Sequence, residues 1–389
     1  MRTLAVRAVV VAGAYLATAL AVLAMVVMLR GRVSPDTLRA VLGIYFISAL
    51  TAGLEPATVK AAVLVTGRAP ENLAGVLAAG AVKSLAAAPI LALVWWLADP
   101  RTPLSLLALS PLPAVAGFWA TDLRVVLDLR GRHAAAVWLK QGSLAAGFVL
   151  LAGMVGAGVP LFWSALVSSL ARLAPPALIA LGYNMGRWRV GGFLRDGRWL
   201  ELAAISAVAA AGGSVDRVLA LRYLPASTYA GYLVVYELFS RFWLIPYLVA
   251  PILFARLAAG DSSRALISRA WFATSTMGAL FVCGVASVSL SAPTLAGRMV
   301  GVPFGPPVIA LAAAVTIGAL TQLRIAQMQG SGAVRRALLV TAFGTLVSGV
   351  VFFVGIRAMG LPGLFWAWLI KSAVEFAAAM AWGSNARRA

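Results

Sequence analysis

Lys83, Arg172, Arg241 and Lys371 each fall near the middle of a long apolar run. A charge at mid-bilayer costs about 2.5–3.5 kcal/mol on insertion scales, so such side chains face a protein interior or a wet cavity. The chemistry open to them is anion binding: an arginine fork matches two phosphate oxygens, and a lysine adds a point charge. Fewer acids lie at comparable depth, namely Glu237 and Glu375. Glu237 and Arg241 are four residues apart, as are Lys371 and Glu375, so each pair shares one helix face and partly neutralises itself. Lys83 and Arg172 have no acid four residues away on their own segments. Each of the four bases has the alternative of pairing across helices with Glu55, Asp122 or Asp216. Asp216 and Arg217 diverge by about 100° round a helix. Asp216 is therefore expected to turn inward at a helix end while Arg217 snorkels towards water.

Other chemistries find no support. The lone histidine, His133, lies in a polar loop, and the lone cysteine, Cys283, lies in an apolar run. No His, Cys or acid cluster has metal-ligand spacing. No metal, cofactor, disulfide or covalent catalysis is expected.

The elements that must hold these charges are membrane helices. Of 389 residues, 62% are hydrophobic and 11% charged, with mean hydropathy +0.94. The net charge of +20 is spread between apolar segments, which marks topology determinants rather than a nucleic-acid surface. Twelve apolar segments fall at 8–29, 38–65, 72–98, 103–126, 134–156, 159–182, 199–223, 226–255, 266–292, 303–328, 334–357 and 361–383, most of them long enough to cross a bilayer. The N-terminal stretch resembles a signal peptide but reads better as a retained first helix. With the N-terminus inside, 20 of the 32 bases lie in cytoplasmic segments and eight in outer loops; the four deep ones remain. Both termini are then cytoplasmic.

Two matches relate the halves. "TDLR" at Thr121 and "TQLR" at Thr321 share T-x-L-R, and "LFWSALVSSLAR" at Leu161 resembles "LFWAWLIKSAVE" at Leu364. Nearly equal offsets argue for a duplicated six-helix unit. The expected fold is all-α, with about twelve transmembrane helices in two six-helix halves related by a pseudo-two-fold axis along the membrane normal. The halves are assigned to 1–186 and 199–389, joined by a basic cytoplasmic linker at 187–198. Transporters built this way bind substrate between the halves near the midplane. Pro56 in the second segment and Pro246 and Pro251 in the eighth should kink equivalent helices and serve as gate hinges. Trp95, Trp96, Trp163, Trp188, Trp199 and Trp382 sit near segment ends and read as interfacial rings.

"SVDRVLALRYLPASTYAGYLVVYELFSRFWLIPYLVAPILFARLA" resembles the seventh and eighth helices of polysaccharide flippases. These form the O-antigen flippase type of the multidrug/oligosaccharidyl-lipid/polysaccharide exporter superfamily. "GLPGLFWAWLIKSAVE" is similar to their last helix, and "LTQLRIAQMQGSGAVRRALL" to their tenth and the loop after it. The likeness covers the second half directly and the first mainly through the duplication. "GLFWAW" stands where small residues are usual, and the approach to the second segment lacks the common Y-G.

The resemblance implies translocation of undecaprenyl-pyrophosphate-linked oligosaccharide from the cytoplasmic to the periplasmic leaflet of the bacterial inner membrane. Movement would be by alternating access, without bond making or breaking. Arg241, Lys83, Arg172 and Lys371 would then hold the anionic head group, and Asp216, Glu237 and Glu55 are the acids for ion coupling. The partners implied are the lipid-linked glycan, membrane lipids and other polysaccharide-assembly proteins. A drug/cation antiporter of the same superfamily predicts acids in the cavity instead. A membrane glycosyltransferase or polymerase needs a larger outer loop than any here, and a non-transporting scaffold leaves the deep bases unexplained.

Overall fold

The computed structural model describes residues 2–53, 73–129, 132–182 and 208–384, apart from 209, 244–248, 250–252, 254–256, 258–263 and 332. Every regular element among them is helical. In chain order these are α1 (Arg2–Leu29), α2 (Pro35–Gly53), α3 (Leu73–Ala98), α4 (Leu104–Leu107), α5 (Pro111–Leu129), α6 (His133–Gly156) and α7 (Leu161–Gly182). They continue as α8 (Val215–Tyr223), α9 (Ala226–Ser240), a 3₁₀ turn at Arg241–Trp243, α10 (Arg264–Ser291), α11 (Pro293–Val300), α12 (Pro306–Gly330), α13 (Val334–Met359) and α14 (Leu361–Ser384). Each of the twelve apolar segments contains one of the longer helices or, for the seventh, α8. Among the described residues nine helices are long and apolar enough to span a membrane. The protein is an all-α polytopic membrane protein.

Local chemistry sets the boundaries. Ser34 caps α2, its Oγ accepting from the Thr37 amide at 3.1 Å, with Pro35 and Asp36 in the first turn. Proline-rich sequence breaks the fourth segment, predicted as continuous, into α4 and α5 around a turn at 108–110. The seventh segment is interrupted at Gly213–Ser214, so α8 begins only at Val215 and Asp216 stands in its first turn. An acid is favoured at that positive helix end.

The chain divides into two compact units, Met1–Ala210 and Ala211–Ala389. In the first, α1 packs on α6, α3 on α5, α2 on α5, α5 on α6 and α7, and α6 on α7. In the second, α8 packs on α13, α10 on α12, α9 on α12, α12 on α13 and α14, and α13 on α14. Numbered within its own unit, each of these pairings therefore has its counterpart in the other. The two T-x-L-R motifs fall in counterpart helices, α5 and α12, and Thr121 and Thr321 are both buried there. The linker at 187–198 lies outside the described residues.

Candidate functional site

In the first unit, α3 and α5 bring Lys83 and Asp122 together, Nζ to Oδ2 at 2.9 Å. Asp122 is fully buried, and Lys83 also lies 5.4 Å from the Phe118 ring centre. Lys83 has thus found an acid across helices, one of the two arrangements left open by its spacing. A Cβ added at Gly80 would come within 3.3 Å of Asp122 Oδ2 and 2.9 Å of Trp119 Cδ1. The missing side chain leaves the acid room.

Arg172 differs. It is only 4% exposed on α7, and among the described residues it makes no ion pair. Its Nη1 donates to Ser48 Oγ on α2 at 2.5 Å, its guanidinium lies 6.0 Å from the Phe148 ring centre on α6, and its Nε has no hydrogen-bond partner. The arginine stem lies against Gly147, where an added Cβ would be 2.5 Å from Cγ and Cδ. Ser48 is its only hydrogen-bond partner among the described residues, and the buried hydroxyls of Thr51 and Ser168 on the same two helices donate to main-chain carbonyls instead. A guanidinium so enclosed has lost its water and gained little in return.

The second unit holds a longer string. Tyr232 of α9 donates its hydroxyl to Asp216 Oδ2, and Trp368 Nε1 of α14 donates to Tyr232 Oη at 3.1 Å. Lys371 Nζ lies 5.2 Å from the Trp368 ring centre and 2.8 Å from Glu375 Oε2. Asp216 Oδ1 has no hydrogen-bond partner and lies 3.9 Å from Arg217 Nε. Tyr229, Tyr236 and Phe365 pack round Tyr232 with ring centres 5.9–6.4 Å away. At the C-terminal end of α9, Glu237 and Arg241 form the i,i+4 pair that their spacing required.

Several expectations change. Arg217 does not snorkel: it is 9% exposed, donates to the Gly213 carbonyl and lies 5.2 Å from the Tyr236 ring centre. The interruption at Gly213–Ser214 leaves that carbonyl open to it. Trp95 is no interfacial ring; it is 2% exposed and packs against Gly43. Trp96, Trp163 and Trp382 are exposed, as an interfacial position requires. Of the four deep bases, Lys83, Arg241 and Lys371 each face a carboxylate, so the cationic excess expected of them reduces to Arg172. Ser48, Tyr232 and Trp368 were missed, because hydroxyl and indole partners leave no charge pattern in a sequence. Pro89 in α3 and Pro175 and Pro176 in α7 lie inside described helices. Glu55, Pro56, Pro246 and Pro251, with Trp188 and Trp199, lie outside the described residues.

No protein-family model matches the chain, and no curated sequence does. Solved structures do. The lipid II flippase MurJ in an inward closed conformation superposes with TM-score 0.65 at 11% identity, over 96% of this chain and 87% of that one. The MATE transporter VcmN of Vibrio cholerae gives 0.63 at 14% identity, over 100% and 98%. The chain has the fold of these transporters. A transporter of the MOP superfamily from Pyrococcus furiosus, described as having a binding pocket of reverse polarity, gives 0.58 at 15% identity over 99% and 96%. At such identities the likeness extends to the backbone only, and Arg172 and Asp216 have to be read on their own chemistry.

Proposed function

We propose that the protein is a translocator of an anionic lipid-linked substrate, of the polysaccharide flippase type. It would carry undecaprenyl-pyrophosphate-linked oligosaccharide from the cytoplasmic to the periplasmic leaflet of the bacterial inner membrane by alternating access. The observation that carries the reading is Arg172, a buried guanidinium with one neutral hydroxyl partner and no carboxylate among the described residues. A charge held there without a counterion is costly, and a diphosphate supplies both the counter-charge and acceptors for the spare donors. Lys83, Arg241 and Lys371 join as secondary contacts, each able to exchange its carboxylate for a phosphate oxygen as the substrate passes. Asp216 serves ion coupling, with Glu237 and Glu55. The fold is one that serves a lipid II flippase, and within it a pocket of reverse polarity is described for the Pyrococcus protein.

A second reading, a drug/cation antiporter, draws on one observation: Asp216, wholly buried against Tyr232 among aromatic rings, would suit an organic cation. One experiment separates the two. Reconstituted in proteoliposomes, the protein should flip a fluorescent polyprenyl-diphosphate sugar, and Arg172→Gln should slow it by about 100-fold, the worth of two charge-assisted hydrogen bonds. Arg172→Gln should leave the unfolding temperature equal or higher, because an uncompensated charge has been removed. Unchanged flipping in Arg172→Gln, with uptake of a cationic dye lost in Asp216→Asn, would establish the antiporter instead.

A further inference from the structure

The duplicated T-x-L-R motif is not symmetric in charge. In the first copy, "TDLRVVLD", Arg124 stands between Asp122 and Asp128; in the second, "TQLRIAQM", Arg324 stands between Gln322 and Met328. The second copy has kept its base without the carboxylates. A short turn after Gly330 then leads into α13, whose first turn holds Arg335 and Arg336 and no acid. This is the positive end of a helix dipole, where cations are disfavoured and where the first amides lack intrahelical acceptors. The N-cap residue, Ala333, has no side chain to cap them. Two arginines at such an end oppose the dipole unless an anion sits between.

Buried donors point the same way. Gln327 is 8% exposed, and its Oε1 accepts from Arg324 Nη1 at 3.0 Å. Because a guanidinium only donates, the amide oxygen must face Arg324 and Nε2 must face elsewhere. Gln327 Nε2 and Arg336 Nη1 are both buried without a hydrogen-bond partner. Ile325, Met328, Ala337, Val340 and Ala379 form an apolar cluster that locks the end of α12 to the start of α13. The donors are therefore held by a packed scaffold.

We propose that the junction of α12 and α13 is a phosphate-binding site, made by Gln327, Arg335, Arg336 and the first amides of α13, with Arg324 orienting the glutamine. By the distribution of bases it lies at the cytoplasmic surface, where phospholipid head groups and free phosphate both present the same oxygens. It shares no residue with the Arg172 site and does not rest on the proposed substrate.

The test uses the full chain in phosphatidylcholine nanodiscs and follows the unfolding temperature along two titrations, one with phosphatidylglycerol in the disc and one with inorganic phosphate in the buffer. The wild type should be stabilised by at least one. A response to phosphatidylglycerol alone assigns a lipid head group, and a response to phosphate alone assigns a soluble ligand. Gln327→Leu combined with Arg336→Gln should raise the half-saturating concentration about tenfold, as expected for one charged hydrogen bond. The exposed control Arg222→Gln should leave it unchanged. If the double variant does not fold, the exposed change Arg335→Gln replaces it and should weaken the response about threefold, the effect of one partly solvated charge. No response in the wild type, or an equal response in the variants, overturns the site.

Discussion

A buried acid in this protein is kept by a phenol rather than by a base. Asp216 has Arg217 as its sequence neighbour, yet its hydrogen bond comes from Tyr232, which in turn accepts from Trp368. Removing the phenol should leave Asp216 Oδ2 without its donor inside an apolar cluster, the costly kind of change. Tyr232→Phe is expected to destabilise the protein by about 1–3 kcal/mol, the usual penalty for an unpaired buried polar group. Asp216→Asn should cost less, because an amide can still accept from Tyr232. Denaturation of both variants in the same detergent gives the order, and an order reversed would mean that Arg217, not Tyr232, holds the acid. Transport by Asp216→Asn should also lose its dependence on an imposed ion gradient while substrate binding persists.

At the scale of elements, small residues decide where helices meet. Gly360, with φ of 62°, turns the chain between α13 and α14, and the two helices then approach so closely that a Cβ at Gly355 would lie 2.6 Å from the Gly363 carbonyl oxygen. A backbone neighbour cannot swing aside as a side chain can. Gly355→Val should therefore force α13 and α14 apart and lower the stability by about 1–3 kcal/mol, as overpacking of this kind does, with a matching fall in the unfolding temperature. Gly349 in the same helix has nothing within 4 Å of its added Cβ, so Gly349→Ala should be neutral or slightly stabilising. Equal melting of the two variants would rule out a packing origin. The same scale explains what was legible in the sequence. Hydropathy located the segments that hold the nine spanning helices found among the described residues, since each must be long and apolar to cross lipid. The i,i+4 spacing correctly paired Glu237 with Arg241 and Lys371 with Glu375, because helix geometry alone brings them together. Lys83 with Asp122 and Arg172 with Ser48 depend on which helices pack, and periodicity carries no record of that. Trp95 was misplaced for the same reason: Gly43 on α2 makes its berth, and a glycine 52 positions away gives no local sign.

At the scale of the whole molecule the packing of one unit repeats in the other, and the distribution of bases gives an orientation to be tested. The main helix pairings of one unit recur in the other, so what the repeat preserves is the packing order. Charge has diverged more: among the described residues one unit buries Arg172 without a carboxylate partner, while the other buries Asp216 against Tyr232 and pairs Glu375 with Lys371. From the base distribution the loop after α6 is expected at the outer face and the loop after α12 in the cytoplasm. The single cysteine makes this directly measurable. Cys283 is exposed in the last third of α10, so Cys283→Ser should be tolerated and give a background without thiols. In that background Ala157→Cys should react with an impermeant maleimide added to intact spheroplasts, and Ser331→Cys should react only in inverted vesicles; both positions are exposed. Labelling of the two from the same side would break the alternation of spans on which the arrangement of helices depends. Labelling of each from the side opposite to that expected would leave the helices intact but invert the protein, and with it the direction in which a substrate held at Arg172 is carried.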